Sequence, residues 1–425
     1  MLRIRTDFSG ASLGEHSVAG SRVSARLREE ALVRVDGFCY DYNRHFAFGV
    51  ENCSDRPAEA EVLINAAGRE ASLQEPALIY RGESPEGDFA PAGGEARSDG
   101  RRAYRLQVPI EPGRTVYLAN YYFRPYERLR GLFDALADRA GARRRPIGAT
   151  VEGRELVCHR FAPTAAGGRP LPAVLITSGF HPPESDTVAS EALMEYLGSS
   201  DAAPFRRGFD IYVVPLANPD GFVRGYNGCN AAEVNLFWQF EERDRQRCPE
   251  AVALWELIRE IRPVVYVDFH GYTFQTRGRY ASPYMKPVIF YEGQEVRRLA
   301  RALNRRLLSL SRGHATRGIL TYSPSMLASK ITREYNTITY AKYHLHLRDG
   351  IERNRRLAVD VMTRILDGLQ TAGMSDPGRI LKQPHGGVRG DYWLAAARRL
   401  ALLWGLRVRP ALGRAKRWTL KEEPV

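Results

Sequence analysis

Four runs of consecutive apolar residues constrain this chain most: Ala173-Val-Leu-Ile-Thr177, Ile211-Tyr-Val-Val-Pro215, Val264-Val-Tyr-Val-Asp-Phe269 and Val288-Ile-Phe-Tyr291. Helical stretches of about 184–198, 250–262, 294–312 and 348–370 lie between and after them. A strand that is apolar on both sides must be covered on both faces, and intervening helices supply that cover. The pattern predicts an α/β domain with a mixed central sheet and helices on both faces.

Residues 1 to about 120 follow another rule. Short β-rich runs, Ala31-Leu-Val-Arg-Val35, His45-Phe-Ala-Phe-Gly-Val50, Ala60-Glu-Val-Leu-Ile64 and Thr115-Val-Tyr-Leu-Ala119, are separated by Gly, Pro, Asp and Ser clusters. These predict a small antiparallel β-sandwich ahead of the α/β domain. The expected division is 1–125, 126–371 and a C-terminal extension, 372–425. In that extension Tyr392 to Leu406 reads as a basic amphipathic helix packed on its own domain.

With 425 residues, 44% of them hydrophobic, the chain is long enough for two cores. Its first residues carry no apolar signal stretch and no later run reaches about 20 apolar residues, so a soluble, cytoplasmic protein without integral membrane association is expected. Five scattered cysteines without CxxC spacing argue against a disulfide framework and a thiolate metal site. The net charge of +13 comes from arginines spread along the chain, a distribution read as solvated faces rather than a nucleic-acid surface. Such a positive field favours an acidic substrate.

The chemistry-bearing signal is His181-Pro-Pro-Glu184, followed by His270 in Asp268-Phe-His-Gly-Tyr272. Two imidazoles and one carboxylate leave a tetrahedral zinc one open position for water, and one zinc per chain is expected. His181 lies just past the first apolar run and His270 ends the third, so both belong at the carboxyl ends of strands, where α/β sheets gather their ligands. Glu184 is expected to open a helix, with Asp186 and Glu191 as acids suited to its dipole. His344 and His346 read as ordinary polar residues.

These residues stand among others in a familiar order: Tyr121 to Leu129, Ile147 to Leu156, Pro215-Leu-Ala-Asn-Pro-Asp-Gly-Phe222, Glu233-Val-Asn-Leu-Phe-Trp238 and Thr332-Arg-Glu-Tyr335. Over roughly residues 30–370 the chain resembles the zinc metallocarboxypeptidases of the carboxypeptidase A superfamily, and most of all the cytosolic carboxypeptidase branch. The resemblance implies a zinc carboxypeptidase-like fold for 126–371, with His181, Glu184 and His270 as metal ligands. It implies Glu334, on the β-like run Ile331 to Tyr340, as the base that moves the water's proton, and Glu233 as the carboxylate behind His181. Arg224 would act as the electrophile at the developing oxyanion.

Substrate contacts are expected from Asn235, Arg224, Tyr335 and Arg277. The family's Asn-Arg carboxylate grip is broken here, because Leu236 follows Asn235. An Arg fork binds a carboxylate bidentately and Leu cannot. Either Arg277, Arg279 or Arg333 replaces that cation, or the substrate has no free carboxylate there. Tyr322, Tyr335 and Tyr340 are alternatives for a tyrosine closing over the substrate. The implied activity is hydrolysis of an amide bond at or near a peptide C-terminus. The alternatives are a zinc amidase or deacylase acting on an amino-acid conjugate, and a catalytically weak zinc-binding scaffold; oligomeric state stays open.

Overall fold

The computed structural model describes residues 1–36, 38–65, 77–98, 103–162, 171–272, 284–287, 291–310, 319–321, 323–346, 349–373, 380–381 and 420–421. The strands up to Ala119 are β1 (Leu2–Arg5), β2 (His16–Ala19), β3 (Arg22–Arg26), β4 (Val33–Val35), β5 (Phe38–Tyr40), β6 (Ala47–Asn52), β7 (Ala58–Asn65), β8 (Ala77–Gly82), β9 (Ala90–Ser98), β10 (Ala103–Ile110) and β11 (Thr115–Ala119). Apart from the β4–β5 ribbon they follow the order β1-β6-β11-β8-β9-β10-β7-β3-β2. Pairing is antiparallel except between β3 and β7. Alternation along β10 and β7 buries every second side chain. Val23, Val62 and Tyr104 from one half share a core with Phe46, Phe48 and Leu118 from the other, so the strands enclose one apolar layer as a sandwich.

The remaining elements are α1 (Tyr126–Arg139), β12 (Arg143–Ala149), β13 (Glu155–Phe161), β14 (Ala173–Thr177), α2 (Thr187–Gly198), α3 (Ala203–Gly208), β15 (Asp210–Val214), α4 (Pro219–Arg224), α5 (Pro249–Ile261), β16 (Val265–Tyr272), β17 (Tyr284–Pro287), α6 (Gln294–Leu308), β18 (Ile319–Thr321), α7 (Leu327–Tyr335), β19 (Ile338–His346), α8 (Ile351–Thr371) and β20 (Leu420–Lys421). Their sheet runs β12-β13-β15-β14-β16-β19-β17-β18-β20. β15, β14, β16 and β19 are parallel neighbours, and β12 and β13 extend the edge antiparallel. Residues of β14 alternate between two cores: Val174 and Ile176 pack with α1, α2, α6 and α8, while Ala173 and Leu175 pack with α5 and α7. The apolar runs are continuous because both faces are buried.

Two local expectations change. The run Ile331 to Tyr340 is helical through Tyr335 and extended only from Ile338. Buried Leu327, Ala328, Ile331 and Tyr335 recur at helical spacing, and Asn336 ends the helix in the left-handed conformation at φ 63°. Glu184 does not open a long helix either. It closes the short 3₁₀ turn Pro182–Glu184, after which Ser185 turns left-handed and α2 starts at Thr187. Residues 288–290 and the stretch Tyr392 to Leu406 lie outside the described residues. Among the described residues no helix is long and apolar enough to cross a membrane.

Candidate metal centre

The three expected ligands meet at the carboxyl ends of β14 and β16. After β14 the chain turns through Gly179 at φ 73°, where a Cβ would meet the Pro215 carbonyl oxygen at 2.9 Å. His181 then presents its ring from extended backbone, and the Pro182-Pro183 turn folds Glu184 back beneath it. His181 Nδ1 is 3.1 Å from Glu184 Oε1, and His270 Nδ1 is 2.7 Å from Glu184 Oε2. One ligand atom from each residue falls within 4.8 Å of the others. Gly271 permits the approach of β16, because a Cβ there would lie 1.6 Å from the Glu184 carbonyl oxygen. Both histidines are fully buried.

The far side of each ring is fixed. Tyr266, Asp268 and His270 share one face of β16. Asp268 Oδ2 accepts from His270 Nε2 at 2.8 Å, while its Oδ1 accepts from the Thr177 hydroxyl at 2.7 Å. Behind His181 stands Asn235. Its Nδ2 donates to the Gly228 carbonyl at 2.8 Å, and its Oδ1 accepts from the N–H groups of Phe237 and Trp238. The His181 Nε2 lies 3.3 Å from Oδ1 and 3.2 Å from Nδ2, so the amide meets the ring at hydrogen-bond distance through both atoms. Asp268, an acceptor only, places the His270 proton on Nε2. Both Nδ1 atoms face the Glu184 carboxylate, the His270 Nδ1 with its lone pair. Such a donor set fits a divalent cation, and two imidazoles with one carboxylate suit zinc.

Aromatic rings wall the site: Phe237 lies 4.6 Å from the His270 ring, and Tyr42, from the sandwich, lies 4.5 Å from that of His181. His45, also from the sandwich, is pushed down to about 3 by burial, against the raising pull of Glu184. Burial pushes Asp186 up to about 8, with Glu184 and Asp268 adding to the rise and His270 opposing it. Both Asp186 oxygens accept the Gly179 N–H at 3.1 Å, so this acid braces the turn before His181 rather than decorating a helix. Glu191 likewise pairs with Arg124 and Arg355.

Several expected residues are placed elsewhere. Parallel register sets Val265 beside Ile338 and His270 beside His344. Glu334 sits at the C-terminal end of α7, before Ile338, hence at the opposite edge of the sheet; five residues of strand, roughly 16 Å, separate those levels. The expected base thus lies away from the end of the sheet that carries the triad. Tyr335 ends the same helix, its ring 6.1 Å from that of Trp255 of α5. Arg224 Nε donates to Glu152 at 2.6 Å and its Nη1 to the Tyr226 hydroxyl at 3.1 Å, which commits its guanidinium away from the triad. Glu233 is exposed in a left-handed turn at φ 59°, and Asn235 takes the place behind His181. The Asn235 amide, expected at the substrate, is engaged by His181 and Gly228. Leu236 is buried in the core with Phe180, Phe240 and Leu254. Arg277 lies outside the described residues.

Sequence reasoning missed Asp268, Tyr42 and His45. The period-two spacing Tyr266, Asp268, His270 could have revealed the first; no local signal marks the others, which arrive from 139 and 136 positions away in the chain (181 − 42 and 181 − 45).

The zinc carboxypeptidase family matches residues 132–248. Cytosolic carboxypeptidase 2 of Danio rerio is 30% identical over 202 residues, covering 41% of this chain and 27% of that protein. Cytosolic carboxypeptidase 1 of Homo sapiens is 28% identical over 113 residues, covering 25% of this chain and 9% of that protein. The chain thus spans about a quarter or less of the length of these curated relatives. A metallo-carboxypeptidase from Burkholderia cenocepacia superposes with a TM-score of 0.69 at 17% identity, covering 87% of this chain and all 100% of the other. One from Pseudomonas aeruginosa, in complex with (2-guanidinoethylmercapto)succinic acid, gives 0.67 at 19% identity, covering 87% and 99%. Residues 132–248 carry the zinc carboxypeptidase signature, the curated relatives are cytosolic carboxypeptidases, and the fold is that of the metallo-carboxypeptidases.

Proposed function

We propose that this chain is a zinc-dependent hydrolase that cleaves an amide bond at or near a peptide C-terminus, with one zinc held by His181, Glu184 and His270. The observation that carries the reading is the convergence of two imidazole Nδ1 atoms on one carboxylate, with one ligand atom of each residue within 4.8 Å of the others. Zinc bound there would supply a Lewis acid and lower the pKa of a water it holds. The chain's own residues do the rest. Asp268 holds the His270 proton on Nε2, and the Asn235 amide anchors the far side of the His181 ring. Asp268 also makes His270 the more basic ring. Phe237 and Tyr42 exclude bulk water and so strengthen the local field.

A second reading has its own support. Leu236 is core, and Asn235 is spent on His181, so neither grips a substrate carboxylate. A zinc amidase or deacylase acting on a blocked amide or an amino-acid conjugate fits that loss. The test is a peptide-library digestion read by mass spectrometry, using the zinc-loaded full chain with His270→Ala in parallel. Loss of single C-terminal residues from free-acid peptides, absent in the variant, supports the first reading. Equal cleavage of C-terminally amidated peptides supports the second, and no cleavage of either panel by a chain holding one zinc sinks both. Acidic C-terminal residues are the expected preference, and a soluble, cytoplasmic setting accords with the relatives' names.

A further inference from the structure

The β-sandwich reaches the metal residues through a chain of hydrogen bonds that begins at Glu30. The carboxylate of Glu30 accepts the backbone N–H of Asn227, the Asn227 Nδ2 at 2.8 Å and the backbone N–H of Gly228 at 3.1 Å. Asn227 is held from a second point of the sandwich, since its Oδ1 accepts the His45 N–H at 3.0 Å. The loop pinned in this way hands over one acceptor, the Gly228 carbonyl, to Asn235 Nδ2 at 2.8 Å. That bond sets which way the Asn235 amide points, and the amide in turn meets the His181 Nε2, 3.3 Å from Oδ1 and 3.2 Å from Nδ2. Tyr42 closes the loop's outer side: a Cβ on Gly228 would meet its ring at 2.7 Å, and its hydroxyl accepts the Trp238 Nε1–H at 2.6 Å.

We infer that Glu30 is a positioning residue for the metal centre, acting through Gly228 and Asn235 on the orientation of the His181 ring, so that the sandwich is a working part of the site. The inference rests on the zinc reading above. Removing such an outer partner typically weakens metal binding 10- to 100-fold. In Glu30→Gln an amide NH₂ faces donors, so at least one loop N–H loses its acceptor.

The experiment compares full-length wild type and Glu30→Gln by zinc competition against a chromogenic chelator, by the visible spectrum of the cobalt-loaded forms, and by thermal unfolding of the metal-free forms. The expected result is zinc binding weaker by about tenfold or more, with altered cobalt bands and a metal-free melting temperature within a few degrees of wild type. A merely structural Glu30 would lower the melting temperature and leave cobalt bands and zinc affinity alone. That outcome, or no change in either metal readout, overturns the inference. Should Glu30→Gln fail to fold, Asn227→Ala, which cuts the same link one step later, is judged on the same two metal readouts. Wild type that takes up no zinc defeats the metal reading itself; zinc-binding wild type with unchanged variants defeats only the role of Glu30.

Discussion

Asp268 and His270 stand two positions apart on one strand, so both side chains emerge on the same face and the carboxylate meets the ring at 2.8 Å. Asp268→Asn would remove the charge that keeps the His270 proton on Nε2. Zinc affinity is expected to fall about 10- to 100-fold, measured by chelator competition, while the fold persists. Gly271→Ala is a harsher change, because its Cβ would lie 1.6 Å from the Glu184 carbonyl oxygen. We expect loss of stoichiometric zinc together with a lower melting temperature. The His-x-x-Glu signal and the distant His270 were legible because metal chemistry fixes residue types and fold grammar fixes strand ends. The partner of His181 was not. The left-handed turn at Glu233 points that carboxylate to solvent and swings Asn235 inward, and nothing in the composition of the segment announces a positive φ.

Elements place what single residues cannot. β16 and β19 run in parallel, and α7 returns the chain to the starting edge of β19, so Glu334 and His270 occupy opposite ends of the same ladder. Glu334→Gln is accordingly expected to leave kcat/KM within about threefold of wild type on any peptide the enzyme cleaves, against losses of about 10²-fold or more for a true proton-transfer residue. The reading of Ile331 to Tyr340 as one strand went astray because β-branched and aromatic residues crowd both halves of it. Helical burial of Leu327, Ile331 and Tyr335 against α5 and the sheet overrides that preference. The strands β14, β15 and β16 were legible from their apolar runs, since burial on both faces leaves no room for polar alternation.

At the scale of the molecule, buried neutral imidazoles tie stability to acidity. His159, on β13, is 1% exposed, and burial pushes it down to about 4 from 6.5. A base with a lowered folded pKa contributes stability above pH 6.5 that is lost as pH falls toward 4. Replacing it by Phe should shrink that acid-induced loss by up to about 3 kcal/mol, read from denaturant unfolding at pH 7 and pH 4.5. The sandwich and the α/β unit were each foreseeable from their periodicity, but their joint was not, since side chains such as Glu30 and Tyr42 reveal their partners only once both units are folded.

The bonds from the sandwich to the loop behind His181 span 182 to 198 positions of sequence. Contacts so distant form late, because long loops must close before they are rewarded. In refolding, helical and strand signals should therefore recover well before tight zinc uptake does. A chain emerging from the ribosome would keep the proposed metal site unassembled until both halves have been made and have met, which is a form of safety written into the order of assembly.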